Sequence, residues 1–367
     1  MIITDIIKAY ITDGEYVLPN GCDINTVCAV SERHDLAHLI SGALEKQGVL
    51  PKGELGASLK KQKLLAIMRR EQQDYELTRI TSIFQNEEIP YILLKGAVMK
   101  NLYPQAWMRT SCDIDILIKT EHKSRATERL RSAGYNQESD GERDISFISK
   151  SGVNAEIHFS LLCDNEALNK ILINAWDYTI SVDKNEYAFT QEFFVFYHIA
   201  HMLAHFTEGG CGIRPFIDLW LYNKAHNVDA SLLSQLLRQC GAFDFYNGVI
   251  SLCEVWFEGR AHDRLTKLME QYIVSGGVYG SRENLGGLGK HKKGGYAKYL
   301  LNRIFMPREK LRLVYPKIDK YPILIPYYWV KRWFTLLNKS KFKAAKSELR
   351  GKSKSNDCGE LLTMLGL

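Results

Sequence analysis

The chain has 367 residues, of which 46% are hydrophobic and 25% are charged, a composition typical of a globular protein with a buried core. Its net charge of +6 suits an anionic substrate but is too small to indicate a dedicated nucleic-acid-binding protein. Because no apolar run approaches the about 20 residues of a membrane-spanning helix, and no secretory cleavage signal is visible, we expect a cytoplasmic protein without a transmembrane segment.

The N-terminal part is predicted to be helical. Apolar residues recur at helical spacing in residues 34–48 and again in residues 59–88, and glycines and a proline between the two stretches indicate a loop. We therefore assign residues 1–86 to an N-terminal helical segment.

Residues 87–163 predict a small mixed-sheet core. The aliphatic runs IPYILLKG and CDIDILIK have the length of buried strands and are separated by a short helix. A helix at about 121–133 is closed by Gly134, and the runs RDISFIS and VNAEIHF then predict a hairpin. This order favours a sheet with helices packed on one face.

The remainder is predicted to form a helical domain over residues 164–337, because successive segments show apolar residues with a helical period. The glycine-rich segment 275–295 predicts a mobile loop. Residues 338–367 predict a basic flexible tail, either a solvated end or a contact surface for RNA or anionic lipid. The whole chain is therefore expected to be of the α+β class.

The segment CDIDILIK carries the strongest chemical signal. Side chains two residues apart on a strand point to the same side, so Asp113 and Asp115 project together while Ile114 packs on the other face. Such carboxylates repel unless a cation neutralises them, a proton is shared or the site faces water. Because Mg²⁺ commonly binds one or two carboxylates plus substrate phosphates, the pair predicts half of a magnesium site. The alternative interpretation is that both carboxylates lie on the solvent-exposed face of an edge strand.

Two neighbouring motifs favour the metal site. Lys95 and Gly96 of LLKG place a cation and a backbone without a side chain at a helix N-terminus, where phosphate is favoured, although a simple strand-to-helix turn has the same pattern. If the strand of Glu156 lies beside CDIDILIK, three carboxylates converge. His158 shares the face of Glu156, so it is either a contact to an acceptor substrate or a hydrogen-bonded structural histidine.

A second group of candidates lies on one predicted helix. His198, His201 and His205 form a stripe whose spacing allows a transition-metal site, but no carboxylate completes a zinc-protease H-E-x-x-H motif. They are otherwise packing histidines or, for His201 and His205, the lining of an acceptor cleft. Arg214 and Asp218, at i and i+4, predict a structural ion pair.

The string ILLKGAVMKNLYPQAWMRTSCDIDILIK resembles the active-site signature of the polymerase-β-like nucleotidyltransferase superfamily, in which a glycine turn precedes a D-x-D strand and a third acid lies on a later strand. More closely, L-K-G, Y-P, D-I-D, E-I-H, HIAHMLAHF and RPFIDLWLY are similar to an uncharacterised bacterial nucleotidyltransferase family often found in polysaccharide gene clusters. The resemblance covers about residues 85–335.

The chain departs from the superfamily pattern at two points. Gly96 is followed by Ala97 rather than by glycine or serine, and the insert NLYPQAWMR lengthens the spacing to Asp113. The departures affect the expected triphosphate contacts and not the carboxylates. Lys95 and Arg109 are predicted to compensate, because an ammonium and a guanidinium are the usual phosphate binders.

The resemblance implies a nucleotidyltransferase core that transfers a nucleoside monophosphate from a nucleoside triphosphate, such as ATP, to an acceptor hydroxyl and releases pyrophosphate. It implies Mg²⁺, or alternatively Mn²⁺, as the cofactor. The implied residues are Asp113, Asp115 and Glu156 as metal ligands and catalytic residues, Lys95, Gly96 and Arg109 for the nucleotide, and His158, His201 and His205 for the acceptor.

The acceptor itself is not identified and is a small molecule, a sugar or a macromolecule. Two alternatives stay open. One is a catalytically degenerate binding or antitoxin-like protein that retains the fold. The other is an enzyme that modifies RNA or protein and docks through its basic tail.

Overall fold

The computed structural model describes residues 1–278, 280, 281, 284, 305, 306, 308, 311, 315, 318, 321–336 and 354–367. The chain folds into two compact units. The first comprises Met1–Ala204 and Ile213–His262, and the second comprises His205–Gly212 and Asp263–Leu367. The fold is α+β, as predicted, with helices at both ends of the chain and, among the residues just given, one mixed sheet.

The N-terminal segment is helical, as the spacing of apolar residues predicts. Its helices are α1 (Ile2–Ile11), α2 (Ile24–Arg33), α3 (Ala37–Lys46) and α4 (Glu54–Asn86). The predicted loop ends at Gly53, whose φ of +77° is a conformation that favours glycine, and α4 starts at the next residue. Buried residues near the end of α4, among them Leu77 and Phe84, belong to the core beneath the sheet.

A sheet of seven strands, all in the first unit, forms the centre of the site-bearing region. In chain order the strands are β1 (Tyr91–Leu93), β2 (Asp113–Ile118), β3 (Asn136–Gln137), β4 (Asp144–Ile148), β5 (Asn154–His158), β6 (Thr179–Ser181) and β7 (Glu186–Phe189). The helices between them are α5 (Lys95–Met99), α6 (Lys123–Ser132) and α7 (Glu166–Leu172). The spatial order of the strands is β3-β4-β5-β2-β1-β7-β6.

The pairing of β2 decides where the functional side chains meet. β2 runs parallel to β5 and antiparallel to β1, and β4 and β5 form the antiparallel hairpin that the sequence predicts. Ile114, Ile116 and Ile118 of β2 are buried in one core with residues of α4 and α6, and burial of each such side chain contributes about 1.5–3 kcal/mol. The polar residues of β2 and β5 therefore lie on the opposite face.

The prediction that residues 164–337 are helical throughout is wrong for β6 and β7. β7 pairs in parallel with β1, where Tyr91 lies opposite Glu186, and thereby extends the sheet. These strands have only three and four residues, too few for a periodic pattern. Their conformation is decided by pairing, of β7 with β1 and of β6 with β7.

The helices that follow β7 confirm the rest of the helical prediction over the described residues. They are α8 (Gln191–Thr207), α9 (Arg214–Ala225), α10 (Ala230–Gln239), α11 (Phe243–Phe257), α12 (Arg264–Val274) and α13 (Ile325–Leu336). Most of the predicted loop 275–295 and the tail residues 338–353 lie outside the described residues. Among the helices that are described, none has both the length and the apolar character needed to cross a membrane.

The last part of the predicted flexible tail is instead a helix, α14 (Lys354–Met364). Leu361 and Leu362 are buried, and Glu360 forms an ion pair with Arg264 of α12 at 2.6 Å. The sequence prediction missed this helix because the residues before it are rich in lysine, which outweighs the two adjacent leucines in the composition of the segment. The domain boundaries inferred from the sequence stay a prediction.

Candidate active site

The three predicted acids lie on the polar face of two neighbouring strands. Asp115 of β2 stands directly opposite Glu156 of β5 in the strand register, so the predicted adjacency of the two strands is confirmed. Asp113 precedes Asp115 by two residues and shares its side of β2. Asp115 is only 8% exposed, whereas Asp113 and Glu156 are partly exposed. The strand pairing thus concentrates negative charge where little water can screen it.

Two basic side chains flank the buried carboxylate. His158 Nε2 lies 2.9 Å from Asp115 Oδ1, and Lys95 Nζ lies 3.9 Å from Asp115 Oδ2. Each oxygen of Asp115 therefore has its own cationic or hydrogen-bonding neighbour. Such pairing is what allows a carboxylate to remain buried and charged.

The pKa values of the acids separate according to these neighbours. Burial, together with the charges of Asp115 and Glu156, raises the pKa of Asp113 to about 6. Burial also favours protonation of Asp115, but Lys95 and the hydrogen bond from His158 outweigh it and lower the pKa to about 2. The pKa of Glu156 is raised by burial and by the charge of Asp115. The cluster therefore holds more negative charge than its protein partners neutralise, as expected of a site for cations.

Lys95 is held in an unusual conformation at the end of β1. Its φ of +30° is rare for a residue other than glycine. Its ammonium lies 5.7 Å from the ring centroid of Tyr197 on α8 and forms a hydrogen bond with that side chain. Burial lowers the pKa of Lys95, but the nearby Tyr197, Asp115 and Asp113 outweigh burial and raise it. The charged ammonium is thus fixed beside the carboxylates.

Gly96 is required by close packing. A Cβ at this position would lie 2.7 Å from Arg109 Nη1 and 3.3 Å from Ser111 Oγ. The hydroxyl that the superfamily pattern places after the glycine is absent here, but Ser111 brings a hydroxyl to the same turn from the strand side. The sequence prediction missed Ser111, although it lies inside the quoted string, because its approach to Gly96 depends on the tertiary fold. It missed Tyr197 because this residue lies on a helix that resembles ordinary core.

Arg109 is engaged within the protein. It is 9% exposed, and its Nη2 lies 3.0 Å from Asp218 Oδ2 in a buried ion pair that Tyr103 joins through a hydrogen bond of 2.8 Å. A phosphate contact by Arg109 stays a prediction. The predicted pair of Arg214 with Asp218 is wrong, because Asp218 turns towards Arg109 and Arg214 pairs with Asp35 at 2.7 Å.

A cavity of about 200 Å³ adjoins these residues in the first unit, and Lys95, His158, Tyr197 and His201 contribute to its wall. His201 thus borders this cavity, and its role towards an acceptor stays a prediction. His205 belongs to the second unit, and its acceptor role stays a prediction.

The histidine stripe of α8 does not form a metal site in the described part of the chain. His198 is buried and its Nε2 lies 2.9 Å from the carbonyl oxygen of Pro215, so its packing interpretation is confirmed. Over the described residues, the group of three ligand side chains close enough to share an ion comprises Asp115, Glu156 and His158.

The donor set fits a divalent cation. Carboxylate oxygens are the preferred ligands of Mg²⁺ and Mn²⁺, and the ligand atoms of Asp115, Glu156 and His158 lie within 4.8 Å of one another. Asp113 adds a fourth donor on the same face. Burial and the charges of Asp115 and Glu156 outweigh Lys95 and Arg109 in raising the pKa of Asp113, so a bound cation would stabilise its ionised form.

Without metal, the Asp113→Asn variant is expected to be more stable than the wild type. Because folding raises the pKa of Asp113 from 3.8 to about 6, its ionised form destabilises the fold at neutral pH, by about 1–2 kcal/mol after allowance for solvent screening. Below pH 3.8 the Asp113 carboxyl of the wild type is protonated in the folded and in the unfolded state, so the free energy of unfolding should be the same for both proteins. The difference in this free energy should grow up to about pH 6 and stay constant above. Urea unfolding in EDTA across this range measures it, and a variant less stable at pH 7 contradicts the expectation.

Comparison with known proteins agrees with this geometry. A family model described as an uncharacterised nucleotidyltransferase matches residues 20–258, which is more than half of the chain and includes β1, β2, β5 and α8. No curated protein and no solved structure matches. With the match spanning the carboxylate strands and the lysine turn, the chain belongs to this family of uncharacterised nucleotidyltransferases.

Proposed function

We propose that the protein is a nucleotidyltransferase dependent on Mg²⁺ or Mn²⁺, which transfers a nucleoside monophosphate from a nucleoside triphosphate to an acceptor hydroxyl. The observation that carries this proposal is the register of β2 and β5, which sets Asp115 opposite Glu156 with Asp113 on the same face. Family membership supports nucleotidyl transfer as the class of reaction.

All three acids are assigned to the metal ions, and Glu156 is also assigned to proton transfer. Asp113, Asp115 and Glu156 would hold the divalent ions, which when bound neutralise the phosphates and make an acceptor hydroxyl more acidic. Burial of Asp115 limits competing water at the reacting centre. The raised pKa of Glu156 makes this carboxylate the better proton acceptor of the pair that it forms with Asp115.

The proposed transfer forms one phosphorus–oxygen bond and breaks another. The acceptor oxygen attacks the α-phosphorus and forms a new phosphorus–oxygen bond, while the bond to the β-phosphate breaks and pyrophosphate leaves. The hydroxyl proton passes to Glu156 or through it to solvent. Lys95 would offset the charge that develops on the leaving phosphates, since its ammonium is held beside the acids by Tyr197.

The surrounding turn and cavity are assigned to the substrates. Gly96 allows Ser111 and Arg109 to approach the turn, so we assign the turn to the triphosphate. Ser111 Oγ, which donates to the carbonyl oxygen of Asp113 at 3.1 Å, would turn to the phosphate as the hydroxyl donor. The cavity beside His158 and His201 would receive part of the acceptor, and its volume of about 200 Å³ suits a single small ring.

The test uses the full chain, each of the four nucleoside triphosphates with a label on the α-phosphate, and cell extract as the source of acceptors. Label transfer that needs Mg²⁺ or Mn²⁺ and disappears with Asp113→Ala and Asp115→Ala supports the proposal. Calorimetry with the same nucleotides separates the alternative of a binding protein, because metal-dependent nucleotide binding without any transfer would contradict catalysis.

Replacing Lys95 by methionine is expected to weaken nucleotide binding by about 10- to 100-fold, the value of a lost hydrogen bond to a charged phosphate. The matched control is Lys100→Met, because Lys100 lies five residues away and pairs with Asp74 instead. The measurement is the calorimetric dissociation constant of the triphosphate for the wild type, Lys95→Met and Lys100→Met. Equal affinity of Lys95→Met and the wild type would remove Lys95 from the nucleotide site.

A further inference from the structure

His158 lies in the space between two carboxylates from different strands. Its Nε2 is 2.9 Å from Asp115 Oδ1 on β2 and 3.8 Å from Glu156 Oε2 on its own strand. The imidazole is largely buried, with 14% of the side chain exposed, and it also borders the cavity. A histidine that only oriented one carboxylate from behind would not direct the same nitrogen towards both acids.

The shorter of these two distances matches that between ligands of one ion. Two ligand atoms in neighbouring positions of an octahedral ion, each about 2.1 Å from it, lie about 3 Å apart, and opposite ligands lie about 4.2 Å apart. The contact of 2.9 Å between Nε2 and Asp115 Oδ1 fits neighbouring positions. The 3.8 Å separation from Glu156 Oε2 falls between the two values, so a small side-chain adjustment would bring this oxygen to the same ion.

We propose that His158 is a nitrogen ligand of the catalytic metal and that it makes the site select Mn²⁺ over Mg²⁺. The role of that ion in catalysis rests on the proposed function, but its binding does not. Mg²⁺ is a hard cation that favours oxygen ligands and retains water, whereas imidazole binds more strongly to transition metals. Mn²⁺ accepts carboxylates and imidazole together, so a set of Asp115, Glu156 and His158 favours it.

The arrangement of Lys95 supports this assignment. Its ammonium approaches Oδ2 of Asp115, the oxygen that His158 does not contact. Oδ1 is therefore contacted by the imidazole, and a bound ion would replace the hydrogen bond between them. The order of affinities for such mixed sites places Mn²⁺ lowest among the transition metals, so the tighter-binding Zn²⁺ should occupy the same ligands and compete.

The test is pulsed electron paramagnetic resonance of the full chain with Mn²⁺ and no nucleotide. Wild-type protein should show nitrogen modulation of the Mn²⁺ signal, and labelling the histidines with ¹⁵N should change its frequency. In His158→Gln the modulation should disappear, and the ratio of Mn²⁺ to Mg²⁺ affinity should fall by about 10-fold or more. Glutamine offers an amide oxygen in place of the ring nitrogen, so Mg²⁺ binding should persist.

His122→Gln is the matched control, because His122 lies beside one carboxylate, at 3.6 Å from Glu121, and is not part of the three-ligand group. It should keep both the modulation and the affinity ratio. Wild-type protein without nitrogen modulation, or without Mn²⁺ binding, would overturn the proposal, and so would an unchanged affinity ratio in His158→Gln.

Failure of this inference is distinguishable from failure of the proposed function. Nucleotidyl transfer with Mg²⁺ in a protein that lacks nitrogen modulation refutes His158 as a ligand and leaves the transferase intact. Nitrogen-coordinated Mn²⁺ in a protein that transfers no nucleotide supports the ligand and refutes the transferase.

Discussion

The Asp115→Asn variant is expected to lose nucleotidyl transfer by about 10²- to 10³-fold while remaining folded, because loss of a single charge-stabilising group in an active site typically has a cost of that size. Asp115 is the acid that contacts both His158 and Lys95 and stands opposite Glu156. Asparagine keeps the shape of the side chain but removes the negative charge. Initial rates of label transfer at saturating metal and nucleotide measure the effect.

The exposed Asp140, which pairs with Lys123 at the surface, supplies the control. Asp140→Asn should transfer label at the wild-type rate, since an exposed ion pair contributes little. Circular dichroism must show that Asp115→Asn is folded. If the folded variant retains a rate within threefold of the wild type, the carboxylates of β2 are not the metal ligands of a transferase.

The carboxylate site was predictable from the sequence because its geometry is local. A spacing of two residues on a strand places Asp113 and Asp115 on one face whatever surrounds the strand. The same alternation places Glu156 and His158 together on β5. Only the adjacency of β2 and β5 had to be assumed, and the hairpin pattern together with the resemblance made that assumption reasonable.

The partners of the basic residues were not predictable in the same way. Arg109 and Asp218 are 109 positions apart, and Lys95 and Tyr197 are 102 apart, so no periodicity links them. The helical spacing of Arg214 and Asp218 allowed a local pair, but the tertiary fold offered Asp218 a buried guanidinium instead. β7 was missed for the same reason, because β1 and not its own sequence determines its extended conformation.

The buried pair of Arg109 and Asp218 leads to the largest expected effect on stability. Asp218→Ala should lower the free energy of unfolding by about 3–5 kcal/mol at pH 7, since it leaves the guanidinium buried without a counter-charge and removes the acceptor of Tyr103. Burial raises the pKa of Asp218, but Arg109 outweighs it and the net pKa is lowered from 3.8. The contribution is therefore complete above about pH 4 and is lost as the pH falls further.

Urea unfolding at pH 7 measures this difference. The control is Asp35→Asn, which weakens the pair with Arg214; the carboxylate of Asp35 is 46% exposed, so the cost should stay within about 1 kcal/mol. Asparagine also tolerates the φ of +53° at this position. A cost for Asp218→Ala no larger than that of the control would show that the buried pair is not needed for stability.

A double replacement separates the role of this pair in folding from its role at the site. In Arg109→Met with Asp218→Leu no charge is left unpaired, so much of the stability lost in Asp218→Ala should return. The guanidinium that packs against Gly96 is gone, however, and the turn carrying Lys95 loses its support on that side. A stable double variant with weakened triphosphate binding would make Arg109 a positioning residue of the turn, whereas normal binding would confine the pair to stabilising the fold.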